Sequence, residues 1–154
     1  MGTIFNDDFR DFIQAMNKHN VEYILVGGYA VILHGYRRVT GDMDIWVNRT
    51  KENYLKLTLA FMEFGLPIYD MTEAKFFADN IDVFSYGRPP VSIDIITNLK
   101  GVEFNSAFAN AQLFNDEGLM IRFLHLNNLI EAKKAVGRHK DLDDIEKLTS
   151  GNDE

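Results

Sequence analysis

Cysteine is missing altogether. Disulfides and thiolate metal sites are therefore excluded, and any metal must sit on carboxylates, imidazoles or carbonyl oxygens, the ligands of hard cations. Long apolar runs are missing too. The longest, Tyr23 to Tyr36, is interrupted by Gly27-Gly28 and falls short of the roughly 20 residues a membrane helix needs, so no membrane segment is expected. Cations are in deficit, with 16 Lys and Arg against 23 Asp and Glu and a formal net charge of −7. That balance argues against broad affinity for nucleic acid, which rests on neutralising phosphates; Arg37-Arg38 and the stretch Lys133 to Lys140 are the candidates for a local basic face. Asp7, Asp8, Arg10 and Asp11 near the start fit neither a signal peptide nor a transit peptide, so the expected location is cytoplasmic. No repeat, low-complexity tract or linker divides the 154 residues. One domain over residues 1–149 is expected, with the polar tail 150–154 frayed.

The composition, 46% hydrophobic and 25% charged, is that of a globular protein with a core. Phe5, Phe9, Phe12, Ile13 and Met16 recur at helical spacing and predict a helix over residues 5–19. Val21 to Val26 is rich in β-branched and aromatic residues and reads as a strand that runs through Gly27-Gly28 into a short helix over Tyr29 to His34. Asp42 to Val47 reads as a second strand, with Asp42, Asp44 and Trp46 on one face and Met43, Ile45 and Val47 on the other. Thr50 caps a helix over 51–64 that Gly65 stops, and a short helix is expected near 72–78. Ile81 to Tyr86 and Val91 to Ile96 read as a strand pair, 103–110 as a helix, Leu119 to Phe123 as a last strand, and 126–136 and 140–149 as closing helices. The class is α/β, a mixed sheet flanked by helices.

Two features carry chemistry. Asp42 and Asp44 lie two residues apart on one strand face, and Asp94 interrupts the apolar run Val91-Ser92-Ile93-Asp94-Ile95-Ile96, where a charge is costly unless compensated. Each aspartate alone has an ordinary reading as a cap or turn ligand. Three on one sheet face with no Lys or Arg in their strands repel one another, which Mg²⁺ or Mn²⁺ would relieve. Gly27-Gly28 at a strand-to-helix turn lets backbone amides approach a phosphate, although such a pair is also simply a tight turn.

Val26-Gly27-Gly28-Tyr29-Ala30, His34-Gly35, Arg38, Thr40 and Asp42-Met43-Asp44-Ile45 together resemble the signature of the DNA polymerase β-type nucleotidyltransferase superfamily. Ile93-Asp94-Ile95 is similar to that family's third carboxylate strand. Leu129-Ile130, Lys133, Gly137-Arg138, Lys140-Asp141-Leu142 and Asp144-Ile145 resemble the closing helices of small bacterial members akin to abortive-infection and antitoxin-type transferases. The resemblance spans residues 21 to about 148. It implies that Asp42, Asp44 and Asp94 are catalytic and hold two Mg²⁺ or Mn²⁺ ions, that Gly27 and Gly28 cradle the triphosphate of an NTP, with ATP the expected donor, and that Asp94 helps activate an acceptor hydroxyl. Many members have serine where Gly28 stands, so phosphate contacts shift toward side chains; Arg38 and Lys133 are the candidates, each with a bland alternative, a solvated loop arginine and a lysine snorkelling past its helix core. His34 is expected to cap or pack locally, and Trp46, Tyr29 and Tyr54 to pack in the core.

The implied function is transfer of a nucleoside monophosphate from an NTP to a hydroxyl on a small molecule, an RNA end or a protein, with a homodimer or partner toxin completing the site. Two alternatives remain open: an antitoxin-like binding module that acts by contact, and a nucleotide sensor without transfer.

Overall fold

The computed structural model describes residues 5–36, 40–88 and 91–150. Helix α1 (Asp7–Lys18) opens under an Asn6 cap, whose side chain accepts from the Phe9 amide at 2.8 Å, and buries Phe9, Phe12, Ile13 and Met16. Strand β1 (Tyr23–Val26), buried throughout, runs straight into α2 (Gly27–Leu33). Strand β2 (Met43–Val47) precedes α3 (Lys51–Phe64), which Thr50 caps and the left-handed Gly65 ends. The single turn α4 (Glu73–Phe76) leads into β3 (Val83–Arg88) and β4 (Val91–Ile96). Then come α5 (Phe104–Asn110), the hairpin β5 (Gln112–Asp116) and β6 (Leu119–Phe123), and the closing helices α6 (Leu126–Val136) and α7 (His139–Ser150).

The strands form one mixed six-stranded sheet in the order β3-β4-β2-β1-β6-β5. β1–β6 and β2–β4 are parallel; β1–β2, β3–β4 and β5–β6 are antiparallel. Alternation sorts the side chains onto two faces. Tyr23, Leu25, Met43, Ile45, Val47, Phe84, Tyr86, Ile93 and Ile95 share the larger core with residues of α1, α3 and α4. On the other face Ile24, Val26 and Trp46 pack with Phe104, Leu129 and Leu148 from the later helices.

Strand β5 is absent from the sequence reading. All of its residues but one are at least partly exposed, and as a sheet-edge strand it lacks the buried alternation by which strands are recognised. The turn that makes the hairpin, Glu117 and Gly118 with φ of 51° and 93°, is the available signal.

Candidate active site

The sheet register brings the acidic residues of β2 and β4 together. Asp44 and Asp94 are directly opposed across the parallel β2–β4 pair, while Val26 opposes Asp44 across β1–β2. The residue after Val26, where the chain turns into α2, therefore lands beside Asp44. Gly27 has φ of 68°, and a Cβ there would collide with the Asp44 carboxylate. Only glycine meets both demands, the positive φ and the close approach. Val26 offers α2 no side-chain cap, so the first amides of this helix face the carboxylate region without a side-chain acceptor.

The electrostatics are those of crowded acids. Burial first, then the charge of Asp94, a hydrogen bond shared with Asp94 and the charge of Asp42 push the Asp44 carboxyl up to about 7, with Lys140 alone pulling it back. Asp94 Oδ1 is buried with no hydrogen-bond partner, an unusual condition for a carboxylate oxygen. Asp42 stands slightly apart, its Oδ1 accepting from Ser92 Oγ at 2.8 Å. Among the described residues no three His, Asp or Glu side chains gather round one point; the structure brings together the pair Asp44–Asp94, with Asp42 at its flank. A buried, unpartnered carboxylate oxygen beside a second crowded carboxyl is a donor set that fits a hard divalent cation.

A cleft of about 140 Å³ opens beside Asp44, lined by Gly27, Asp44 and Ile96 on the sheet side and by Lys133, Arg138 and Asp141 from α6, α7 and the turn between them. Lys133 does not snorkel. It is 7% exposed, and its Nζ donates to Asp144 Oδ2 at 2.8 Å with Asp141 Oδ1 at 3.7 Å. Arg138 is the outward cation: its Nε and Nη2 donate to the two Asp141 oxygens at 2.6 and 3.1 Å while 59% of its side chain stays accessible. The hydrogen bond with Asp141, reinforced by the charges of Asp141, Asp44 and Asp144 against some desolvation, raises the Arg138 pKa. Asp141 itself, which burial alone would raise, is held below the usual carboxylate range by Arg138 and Lys133. Arg138 and Asp141 were not singled out for a role in the sequence; the spacing Arg138-x-x-Asp141 after a helix-ending Gly137 is the signal that points to them.

The other expected residues fall as follows. Arg38 lies outside the described residues. Gly28 is buried within the first turn of α2. The ring of His34 hydrogen-bonds through Nε2 to the Leu124 carbonyl at 2.8 Å, and its pKa is lowered by burial. Tyr29 stacks on Phe5, Trp46 packs edge-on against Phe104, and Tyr54 tilts against Phe76. Those aromatics are core.

No family model matches the chain and no curated protein matches it. Solved structures do. A Thermotoga maritima protein designated a nucleotidyltransferase is similar over 93% of this chain and 91% of its own, with a TM-score of 0.63 and 15% identity. The lincosamide antibiotic adenylyltransferase LnuA, in its lincomycin-bound form, is similar over 97% of this chain and 99% of its own (TM-score 0.61, 16% identity). ANT(2'')-Ia, in complex with adenylyl-2''-tobramycin, is similar over 93% of this chain and 86% of its own (TM-score 0.60, 13% identity). The chain thus has the nucleotidyltransferase fold that its sequence resembles.

Proposed function

We propose that this protein is a metal-dependent nucleotidyltransferase that moves a nucleoside monophosphate from an NTP, ATP above all, to a hydroxyl acceptor. The observation that carries the reading is the juxtaposition of Asp44, Asp94 and Gly27: two crowded acids, one with a buried unpartnered oxygen, against a glycine whose positive φ and close approach disfavour any side chain.

Asp44 and Asp94, with Asp42 at their flank, are the residues to hold Mg²⁺ or Mn²⁺. Held by these carboxylates, such an ion would supply the positive charge that offsets charge building up on the phosphoryl oxygens during transfer. The chain's residues do the rest. Gly27 and Gly28 leave the triphosphate an approach to the first amides of α2. Arg138 gives it a cation on the far wall of the cleft. Lys133 is engaged by Asp144 and Asp141, so its part is to lock α6 to α7 and orient Asp141, which in turn holds the Arg138 fork in plane. In the transfer the acceptor oxygen forms a bond to the α-phosphorus, the bond from that phosphorus to the bridging oxygen breaks, and pyrophosphate leaves. The acceptor proton passes to Asp94. The similar structures holding lincomycin and an adenylylated tobramycin support a hydroxylated acceptor.

The test is incubation of the purified chain with α-labelled triphosphates, Mn²⁺ and hydroxylated acceptors. Pyrophosphate release with label on the acceptor, lost in Asp44→Asn and Asp94→Asn, is the expected result. Label that never leaves the triphosphate pool overturns it.

A further inference from the structure

A second cleft, of about 510 Å³, lies at the other end of the sheet from the carboxylates. Strand β1 runs between the two places, since Val26 opposes Asp44 while Tyr23 opposes Val47. The parallel β1–β6 ladder is short, with Leu25 and Phe123 as its register pair. Below that pair Asn17 of α1 ties the two strands instead, accepting from the Tyr23 hydroxyl at 2.9 Å and donating to the Met120 carbonyl at 2.8 Å. Burial pushes the Tyr23 hydroxyl up to about 12, so it adds no charge to this wall. On β6, Ile121 and Phe123 face the larger core. Met120 and Arg122 therefore point to the opposite face, where Leu113 opposes Arg122 across β5–β6. The Arg122 guanidinium lies 4.3 Å from the centre of the Phe108 ring; among the described residues it donates to no acceptor and meets no carboxylate. Glu22 lines the same cleft. Its Oε1 accepts from Asn48 Nδ2 at 2.8 Å, and it forms no ion pair with a described cation. One cation and one anion thus share a cleft without meeting.

We infer that this cleft is a second ligand site, independent of the transferase reading, and that it takes a free α-amino acid with an apolar side chain: Arg122 receives the carboxylate, Glu22 the ammonium group, and the apolar wall the side chain. A guanidinium stacked on a ring keeps its N–H donors at the edge, in a planar fork that matches a carboxylate bidentately. The stack with Phe108 also restrains the long arginine side chain before any ligand arrives, so less freedom is lost on binding. Glu22 keeps one carboxylate oxygen clear of Asn48, available to an ammonium donor. The two charges select together. A simple anion is repelled by Glu22 and a simple cation by Arg122, whereas a zwitterion satisfies both. Val21, Phe108, Leu113 and Met120 supply the apolar wall, and Leu113 and Met120 are exposed large apolar side chains that a ligand would cover. The volume falls within the usual range for small-molecule sites, about 300–1,000 Å³.

The test is backbone-amide NMR on the full chain, titrated with L-phenylalanine, L-leucine and L-methionine, and with the C-terminal amide and the N-acetyl derivative of each, which remove one charge apiece. Expected is that at least one free amino acid shifts the amides of Asn20, Leu113 and Arg122 saturably, and that its amide and its N-acetyl derivative bind at least tenfold more weakly. Arg122→Gln and Glu22→Gln should each weaken the free amino acid tenfold or more while leaving the rest of the amide spectrum in place. The inference is overturned if none of the three amino acids shifts these amides, if the shifts centre on Gly27 and Asp44, or if both variants bind as the wild type does. An N-acetyl derivative that binds as tightly as the free amino acid overturns it too, and would mark the cleft as a seat for the C-terminus of a protein partner. The derivatives are compared on the wild type, so the outcome stands even where a variant fails to fold.

Discussion

Asp44 Oδ2 occupies the space where a side chain on Gly27 would begin. The glycine and the acid are one unit, and a change in either is read by the other. Gly27→Ala should destabilise the fold by about 2 kcal/mol, from the positive φ and the collision together. Because removing the carboxylate removes the collision, Gly27→Ala in an Asp44→Ala background should cost about 1 kcal/mol, the backbone part alone. Chemical denaturation of the four proteins closes the cycle, and strict additivity would show that the two residues do not meet.

Divalent metal should stabilise the wild type. With an assumed dissociation constant of about 1 mM and about 10 mM Mg²⁺, linkage gives roughly 1.4 kcal/mol, a melting shift of about 3–6 °C for a domain of this size. Asp44→Asn keeps the shape without the charge and should raise the metal-free Tm while removing most of the metal response. A wild type indifferent to both Mg²⁺ and Mn²⁺, with Asp44→Asn less stable, would mark the aspartates as structural and favour an antitoxin-like binding module.

The pH dependence follows from Asp44. A carboxyl raised to about 7 in the folded protein binds more protons there than in the unfolded chain, so its contribution is present at acid pH and is lost as pH rises from about 4 through about 7. The metal-free protein should therefore lose Tm between pH 5 and 8 relative to Asp44→Asn, by about 3 °C or more. His34, lowered by burial, acts in the opposite direction, which is why the difference between the two proteins is the quantity to measure. Metal affinity should rise across the same interval as the proton is displaced; superimposable Tm–pH curves for the two proteins would contradict the assignment.

Lys133 and Arg138 should separate cleanly. Lys133→Met leaves Asp144 and Asp141 buried with less compensation and should cost about 3 kcal/mol in denaturant unfolding. Arg138→Met loses a largely accessible ion pair, which is worth at most about 1 kcal/mol, and its main effect should be on triphosphate affinity, about tenfold weaker by calorimetry. The reverse pattern, a stable Lys133→Met that no longer binds triphosphate, would return the phosphate contact to Lys133.

Much of this was legible in the chain. Period-2 alternation placed Asp44 and Trp46 on one face and Met43, Ile45 and Val47 on the other, as the two cores confirm. Cap chemistry at Thr50 and Gly65 gave the limits of α3. Alternation says which residues share a face but not which rung they occupy, so the opposition of Asp44 to Asp94 appears only with strand register. The pairing of Lys133 is hidden in the sequence for a related reason. Its neighbours within α6 are apolar, and its partners Asp141 and Asp144 sit on the next helix, beyond the reach of helical periodicity. Asp42 reads as the equal of Asp44 on spacing, yet lies just before β2 and turns to Ser92.

The exposed sheet edge at β3 also bears on how such a protein can change over generations. Val83 and Ser85 point away from both cores, and substitutions at exposed positions of this kind usually shift stability by less than about 0.5 kcal/mol. Gly27 and Asp44, by contrast, interlock so closely that adding a side chain at Gly27 alone is costly. Sequence change can therefore accumulate on the outward residues of β3 at little cost to the fold, whereas Gly27 and Asp44 can change freely only together, so that tolerance and constraint fall on different strands of one sheet.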